Sequence, residues 1–190
     1  FGMILGIKRQ IINAAIAQRE HRWAGRELRS CMFELTGSTM GIIGLGQVGR
    51  AIAKRAAAFD MRVIAVDLIP QNKPNTVEEL WGLDRLGDLL GQSDFVVVTV
   101  PYTPQTDDMI GAAQIAQMKD GAMLIGMSRG HIINEDALLE ALKSGKLGAA
   151  ALDVFSQEPL PPESPLWDAP NLLITPHAAG GTQREAEYIM

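Results

Sequence analysis

Three polar clusters in the second half of the chain carry the residue types that proton and anion chemistry needs. They are Ser128-Arg129-Gly130, Asp153-Val154-Phe155-Ser156-Gln157-Glu158-Pro159 and Thr175-Pro176-His177-Ala178-Ala179-Gly180-Gly181. Each follows a short apolar run: Ala122–Ile125, Ala149–Leu152 and Leu172–Ile174 respectively. An arginine offers a planar, permanently charged fork suited to a carboxylate. A histidine titrates near pH ~6.5, so it can pass a proton to or from a hydroxyl. A carboxylate on the other ring nitrogen favours the imidazolium and fixes the ring. Alone, a histidine in a Pro/Gly loop is ordinarily structural and a loop arginine ordinarily surface. Arg129, Glu158 and His177 at three successive strand ends point instead to one site, because α/β sheets take their ligands there.

A second pattern lies upstream. Gly44-Leu45-Gly46-Gln47-Val48-Gly49 is a GxGxxG directly after the apolar Met40–Ile43 and directly before an alanine-rich helical stretch. That context turns a weak motif into a dinucleotide-binding signal. Gly44 permits the tight turn, Gly46 lets backbone approach a pyrophosphate, and Gly49 lets helix and strand pack closely. The helix start then offers free N–H groups and a partial positive charge to the phosphates. Eighteen residues beyond Gly49, a second apolar run ends in Val66-Asp67. A carboxylate there accepts hydrogen bonds from the ribose hydroxyls and repels a 2′-phosphate, which favours NAD over NADP. Arg62, at the far end of that run, is badly placed to reverse the preference.

These groups need a frame, and the rest of the text supplies one. From about Thr39, short β-branched runs alternate with stretches of helical period, the pattern of parallel βαβ units. Strands are expected at Met40–Ile43, Arg62–Val66, Phe95–Val100, Ala122–Ile125, Ala149–Leu152 and Leu172–Ile174. They are nearly all apolar, as strands covered on both faces must be. Helices are expected near Val48–Phe59, Leu86–Gly91, Ala112–Met118 and Glu135–Lys143, the last capped by Asn134 and stopped at Gly145. Gln71–Pro74 and Glu158–Pro165 read as loops. The implied fold is α/β: a Rossmann-type, doubly wound parallel sheet with helices on both faces.

Composition adds exclusions. With 47% hydrophobic and 21% charged residues, the chain has ordinary globular usage. A net charge of −5 gives no electrostatic footprint for nucleic acid. No apolar run approaches the ~20 residues that span a bilayer. One cysteine, Cys31, cannot form an internal disulfide, which fits a reducing cytoplasm and an inert thiol. The first 20 residues carry Ile4, Leu5, Ile7, Ile11, Ile12, Ala15 and Ile16 at helical spacing and read as one running helix. Thr182-Gln183-Arg184-Glu185 has the form of a capping box that opens another. Helices at both ends suggest a segment of a longer protein.

Read together, these segments resemble the NAD-binding domain of the D-isomer-specific 2-hydroxyacid dehydrogenases, which include D-lactate, phosphoglycerate and hydroxypyruvate/glyoxylate enzymes. The resemblance runs from Gly41-Ile42-Ile43-Gly44-Leu45-Gly46-Gln47-Val48-Gly49 through Val100-Pro101-Tyr102-Thr103-Pro104-Gln105-Thr106 and Met127-Ser128-Arg129-Gly130. It continues through Ala151-Leu152-Asp153-Val154-Phe155, Glu158-Pro159 and Thr175-Pro176-His177. It implies that Arg129 holds the carboxylate and keto oxygen of a small 2-oxo acid. His177 would then be the acid/base and Glu158 its partner. Gln47 and Val48 would offer backbone to the pyrophosphate, and Asp67 would hold the ribose. Val100, Pro101 and Thr106 would line the cofactor cleft, and Asp153 would contact the nicotinamide carboxamide. Met127, Ser128, Arg129, His177 and Gly180 complete the implied cofactor-binding set, and no metal is expected.

The resemblance also implies an organisation. Residues 1–36 would form a crossover helix and linker, 37–181 the cofactor domain, and 182–190 the start of the return helix. The substrate domain would lie outside this chain, leaving it able to bind cofactor but not to turn over normally. A homodimer is expected by the same resemblance. His131 and Asn134 depart mildly from the common pattern. His131 is a rival for His177 that lacks an evident carboxylate partner, and His21 reads as solvated surface. Glu158 departs from formate dehydrogenases, which carry glutamine there. A phosphite dehydrogenase-like enzyme and a corepressor-like NAD(H) sensor of the same fold are the rival readings.

Overall fold

In the computed structural model, residues 1–181 are described. Three short helices come first: α1 (Gly2–Lys8), α2 (Ile11–Arg19) and α3 (Gly25–Ser30). The apolar periodicity suggests a single helix over the first 20 residues, but the chain breaks at Gln10, whose φ of 57° is left-handed. Nothing in the residue types announces this break. The α1 helix buries Ile4 beneath it, whereas Ile11 and Ile16 on α2 remain about half exposed at 54% and 49%. The expected opening of a helix at Thr182 lies outside the described residues.

The remaining elements alternate as expected: β1 (Thr39–Ile43), α4 (Gln47–Ala57), β2 (Arg62–Val66), β3 (Glu79–Trp81), α5 (Leu86–Gln92) and β4 (Phe95–Val98). Then follow α6 (Ala112–Gln117), β5 (Ala122–Gly126), α7 (Glu135–Lys143), β6 (Leu147–Leu152) and β7 (Leu172–Ile174). All seven strands join one sheet in the order β3-β2-β1-β4-β5-β6-β7, and every pairing is parallel. The order reverses between β1 and β4, so both strands open into the crevice where such sheets bind ligands.

Burial on both faces explains the apolar strands. Alternate residues point to opposite faces of a sheet. Met40 and Ile42 of β1, Val63 and Ala65 of β2, and Phe95 and Val97 of β4 join the core beneath α1 and α4. Ile43, Ile64, Val66, Val96 and Val98 join the opposite core with α5, α6 and α7. At about 25 cal/mol per Å2 of apolar area, a fully buried Ile or Leu contributes roughly 1.5–3 kcal/mol, so these two layers dominate the fold. Helix α7 starts as its sequence suggests: the Asn134 side chain accepts from Ala137 N at 2.9 Å. Two further differences stand out. Edge strand β3 has no expectation behind it, and β4 ends two residues before its apolar run does. There the Thr99 hydroxyl bonds the carbonyls of Ile43 and Gly44 at 3.1 and 2.6 Å.

Candidate active site

The glycine loop joins β1 to α4. Gly44 has φ 91°, a left-handed conformation that a side chain resists, and it packs against Val100. A Cβ on Gly49 would sit 2.2 Å from the Gly44 carbonyl oxygen, so α4 can approach β1 only without one. A Cβ on Gly46 would meet nothing within 4 Å; that face of the loop is open. Among the described residues no side chain caps α4. Its first-turn N–H groups therefore face the crevice with the partial positive charge of the helix start. Shape and electrostatics together fit a pyrophosphate.

Asp67, just past β2, closes the far side. Its carboxylate accepts from Leu45 N at 2.6 Å and from Ile69 N at 2.9 Å. A carboxylate accepts about four hydrogen bonds, so these two leave capacity for ribose hydroxyls. A hollow of about 360 Å3 lies between Asp67, Gly46 and Gln47. A second hollow, of about 560 Å3, continues along the crevice past Val48, Val100, Pro101, Met127 and Ser128 to Arg129. Thr106 does not line it. Its hydroxyl donates to Pro101 O at 2.9 Å and accepts from Thr103 N at 2.8 Å, closing the turn on which Pro101 sits.

At the end of the crevice the three polar clusters meet. Arg129, Glu158 and His177 line one concavity of about 260 Å3, with Tyr102 and His131 on its rim. The His177 ring donates through Nδ1 to Glu158 Oε2 at 2.7 Å, which leaves Nε2 for a ligand. Glu158 Oε1 accepts from Phe155 N at 2.9 Å. The hydrogen bond from His177, and after it the one from Phe155, hold the Glu158 carboxyl below its usual range. The carboxylate thus stays charged and keeps the ring oriented. Among the described residues His131 has no such partner; its ring lies against that of Tyr102, 5.8 Å between centroids. Arg129 reaches the concavity because Gly130 lets the chain pass under Phe155. A Cβ there would lie 2.0 Å from the Phe155 carbonyl oxygen.

Asp153 anchors the loop that follows β7. It is 1% exposed, and its carboxylate accepts from Thr175 Oγ1 at 2.5 Å and from Ala178 N and Ala179 N at 2.9 Å each. It thereby ties the loop that carries His177 to the end of β6. Gly180 continues this loop on the surface. Thr99 and Arg50 also support the site, and no spacing rule marks them, because each bonds the backbone of a distant segment. Among the described residues no cluster of three metal-ligating side chains occurs, and no helix is long and apolar enough to cross a membrane.

Comparison with known proteins agrees with this geometry. Residues 1–179 match the family described as D-isomer specific 2-hydroxyacid dehydrogenase, NAD binding domain. A glycerate dehydrogenase of Methylorubrum extorquens is 41% identical, covering 100% of this chain and 59% of that relative. The chain therefore spans about three-fifths of that relative's length. A D-isomer specific 2-hydroxyacid dehydrogenase family protein of Aeromonas salmonicida superposes with a TM-score of 0.85 at 38% identity, over 93% of this chain and 56% of that one. An NAD-dependent formate dehydrogenase of Staphylococcus aureus, solved with NAD, superposes at 0.87 and 29% identity, over 97% and 54%. The chain belongs to the D-isomer-specific 2-hydroxyacid dehydrogenases and carries their NAD-binding domain.

Proposed function

We propose that the protein containing this chain transfers a hydride between NAD and a small D-2-hydroxy acid or its 2-oxo acid. The observation that carries the proposal is the oriented His177–Glu158 pair, 2.7 Å apart, in one concavity with Arg129. Arg129 anchors the substrate carboxylate through its fork of N–H donors. His177 Nε2 gives a proton to the keto oxygen during reduction and takes it back during oxidation. Glu158 stabilises the imidazolium that this exchange requires. When bound, NAD supplies or accepts the hydride at its nicotinamide. The glycine loop, the start of α4 and Asp67 hold its pyrophosphate and ribose.

The substrate domain is proposed to lie outside this chain, with residues 1–36 as a crossover to it. Exposed apolar side chains support a homodimer as the assembled form: Ile11, Ile16 and Trp23, the last 99% exposed, offer an uncovered face before β1. A single exposed cysteine, Cys31, suits a reducing cytoplasm. Light scattering of the eluted protein tests the dimer directly; a monomer at micromolar concentration overturns it.

The activity is tested on the full-length protein with NADH and a panel of 2-oxo acids. Turnover of at least one is expected. Arg129→Ala should lower kcat/KM by about 10^2-fold or more through lost positioning. Near-normal efficiency in that variant would sink the assignment of Arg129.

A further inference from the structure

Arg50 stands one residue after the glycine motif, on the first turn of α4, and crosses to the loop after β2. Its Nη1 donates to Asn72 O at 2.6 Å and its Nη2 to Gln71 O at 3.1 Å. That loop has little else to hold it on this side. Leu68 and Ile69 are 79% and 63% exposed, so they bury almost nothing. Asn72 has a left-handed φ of 52°, which costs an L-residue energy unless something imposes it. The other end of the loop is secured separately, by buried Val77 and by Lys73 Nζ on the carbonyls of Val77 and Glu78. The near end thus rests on polar ties from Arg50 and Asp67. Both side chains line the same 360 Å3 hollow.

We propose that Arg50 is a positioning residue that straps the 67–72 loop against α4 to form the wall of the adenosine-ribose subsite, and is the cation awaiting a 2′-phosphate there. The proposal rests on the cofactor reading given above. A guanidinium has five N–H donors. Among the described residues the carbonyls of Gln71 and Asn72 are its hydrogen-bond partners, so three donors remain for a ligand. With Asp67 present, the nearby negative charge repels a dianionic phosphate and the site prefers NAD. Without that carboxylate the same hollow holds a permanent cation with phosphate-matching geometry. Discrimination between the two cofactors then resides in the Asp67–Arg50 combination rather than in Asp67 alone.

The test uses the purified chain, titrated with NADH and NADPH by fluorescence, together with amide hydrogen exchange over residues 67–73 without nucleotide. Melting temperatures are read alongside to exclude unfolded variants. Arg50→Met should speed exchange in the loop and weaken NADH by about tenfold or more. Arg50→Lys keeps the charge but loses the two-pronged geometry, so it should speed exchange and weaken NADH less. Asp67→Ser should gain NADPH binding, and Asp67→Ser with Arg50→Met should lose that gain. Unchanged exchange and unchanged NADH affinity in Arg50→Met overturn the strap. Equal NADPH affinity in the single and double variants overturns the phosphate role. Failure of the unmodified chain to bind either nucleotide defeats the cofactor reading and the phosphate role with it, while the exchange comparison still decides the strap.

Discussion

The two ends of the crevice are built by different means. The glycine-loop end is made of backbone: Gly44 and Gly49 are buried, and recognition comes from N–H groups and from missing side chains. The proposed catalytic end is made of side chains from three separate loops, and Arg129 and His177 stay exposed. Its order comes from tethers set behind the reacting groups, namely Asp153 behind the His177 loop and Phe155 N behind Glu158. Rigid backbone suits the part of the cofactor that never reacts. Tethered side chains at an open surface suit groups that a ligand must reach and leave.

That contrast can be broken most forcefully at the tether. Asp153→Ala leaves the hydroxyl of Thr175 and the N–H groups of Ala178 and Ala179 without their acceptor. Hydrogen bonds to a charged group are worth about 1.5–3 kcal/mol each, and solvent entering the loop recovers part, so a loss of about 3–4 kcal/mol is expected. Denaturant unfolding of the chain measures it. A loss under about 1 kcal/mol would show that the loop is held by something else. The glycine end should respond next, and selectively. Gly49→Ala drives a methyl into the Gly44 carbonyl and should cost about 2–3 kcal/mol as overpacking. Gly46→Ala has free space and should leave the melting temperature nearly unchanged, while NADH affinity falls because the methyl occupies the pyrophosphate approach. Equal destabilisation by both substitutions would erase the distinction.

The backbone-built end was also the more legible one. GxGxxG and Asp67 carry their context in the sequence, since strand, turn and helix follow in order. Six strands were legible because two-sided burial makes them continuous apolar runs. Strand β3 escaped because Glu79-Leu80-Trp81 is three residues long, sits on an edge and is partly exposed. The break at Gln10 escaped because the isoleucine periodicity continues across it and no Gly or Pro interrupts. At the proposed catalytic end the residue types are readable, but the tethers are not. Asp153 reads in sequence, through the resemblance, as a contact of the nicotinamide carboxamide; its burial and three donors show that it also tethers a loop. Hydrogen bonds between distant elements have no periodicity to read.

The smallest expected effect sharpens the comparison by pH. His177 and Phe155 N lower the Glu158 pKa in the folded chain, so its ionised form is favoured by folding. For a lowered pKa, the stabilisation is fully present above the unfolded value of about 4.3 and is lost as pH falls through the folded value. The Glu158 side chain is 34% exposed, so solvent screens the pair and the gain is small. Glu158→Gln keeps the shape and removes the charge. Unfolding midpoints of the two proteins should differ slightly above the unfolded value and converge only as the pH falls through the lowered folded value. A gap that persists unchanged to pH 3 would mean that the glutamate contributes through packing rather than charge. If the full-length protein has the proposed activity, the same substitution should cost far more in kcat than in stability, because the amide replaces the carboxylate that orients the His177 ring. A tether that matters little to the fold and much to the reaction is what an exposed, side-chain-built site requires.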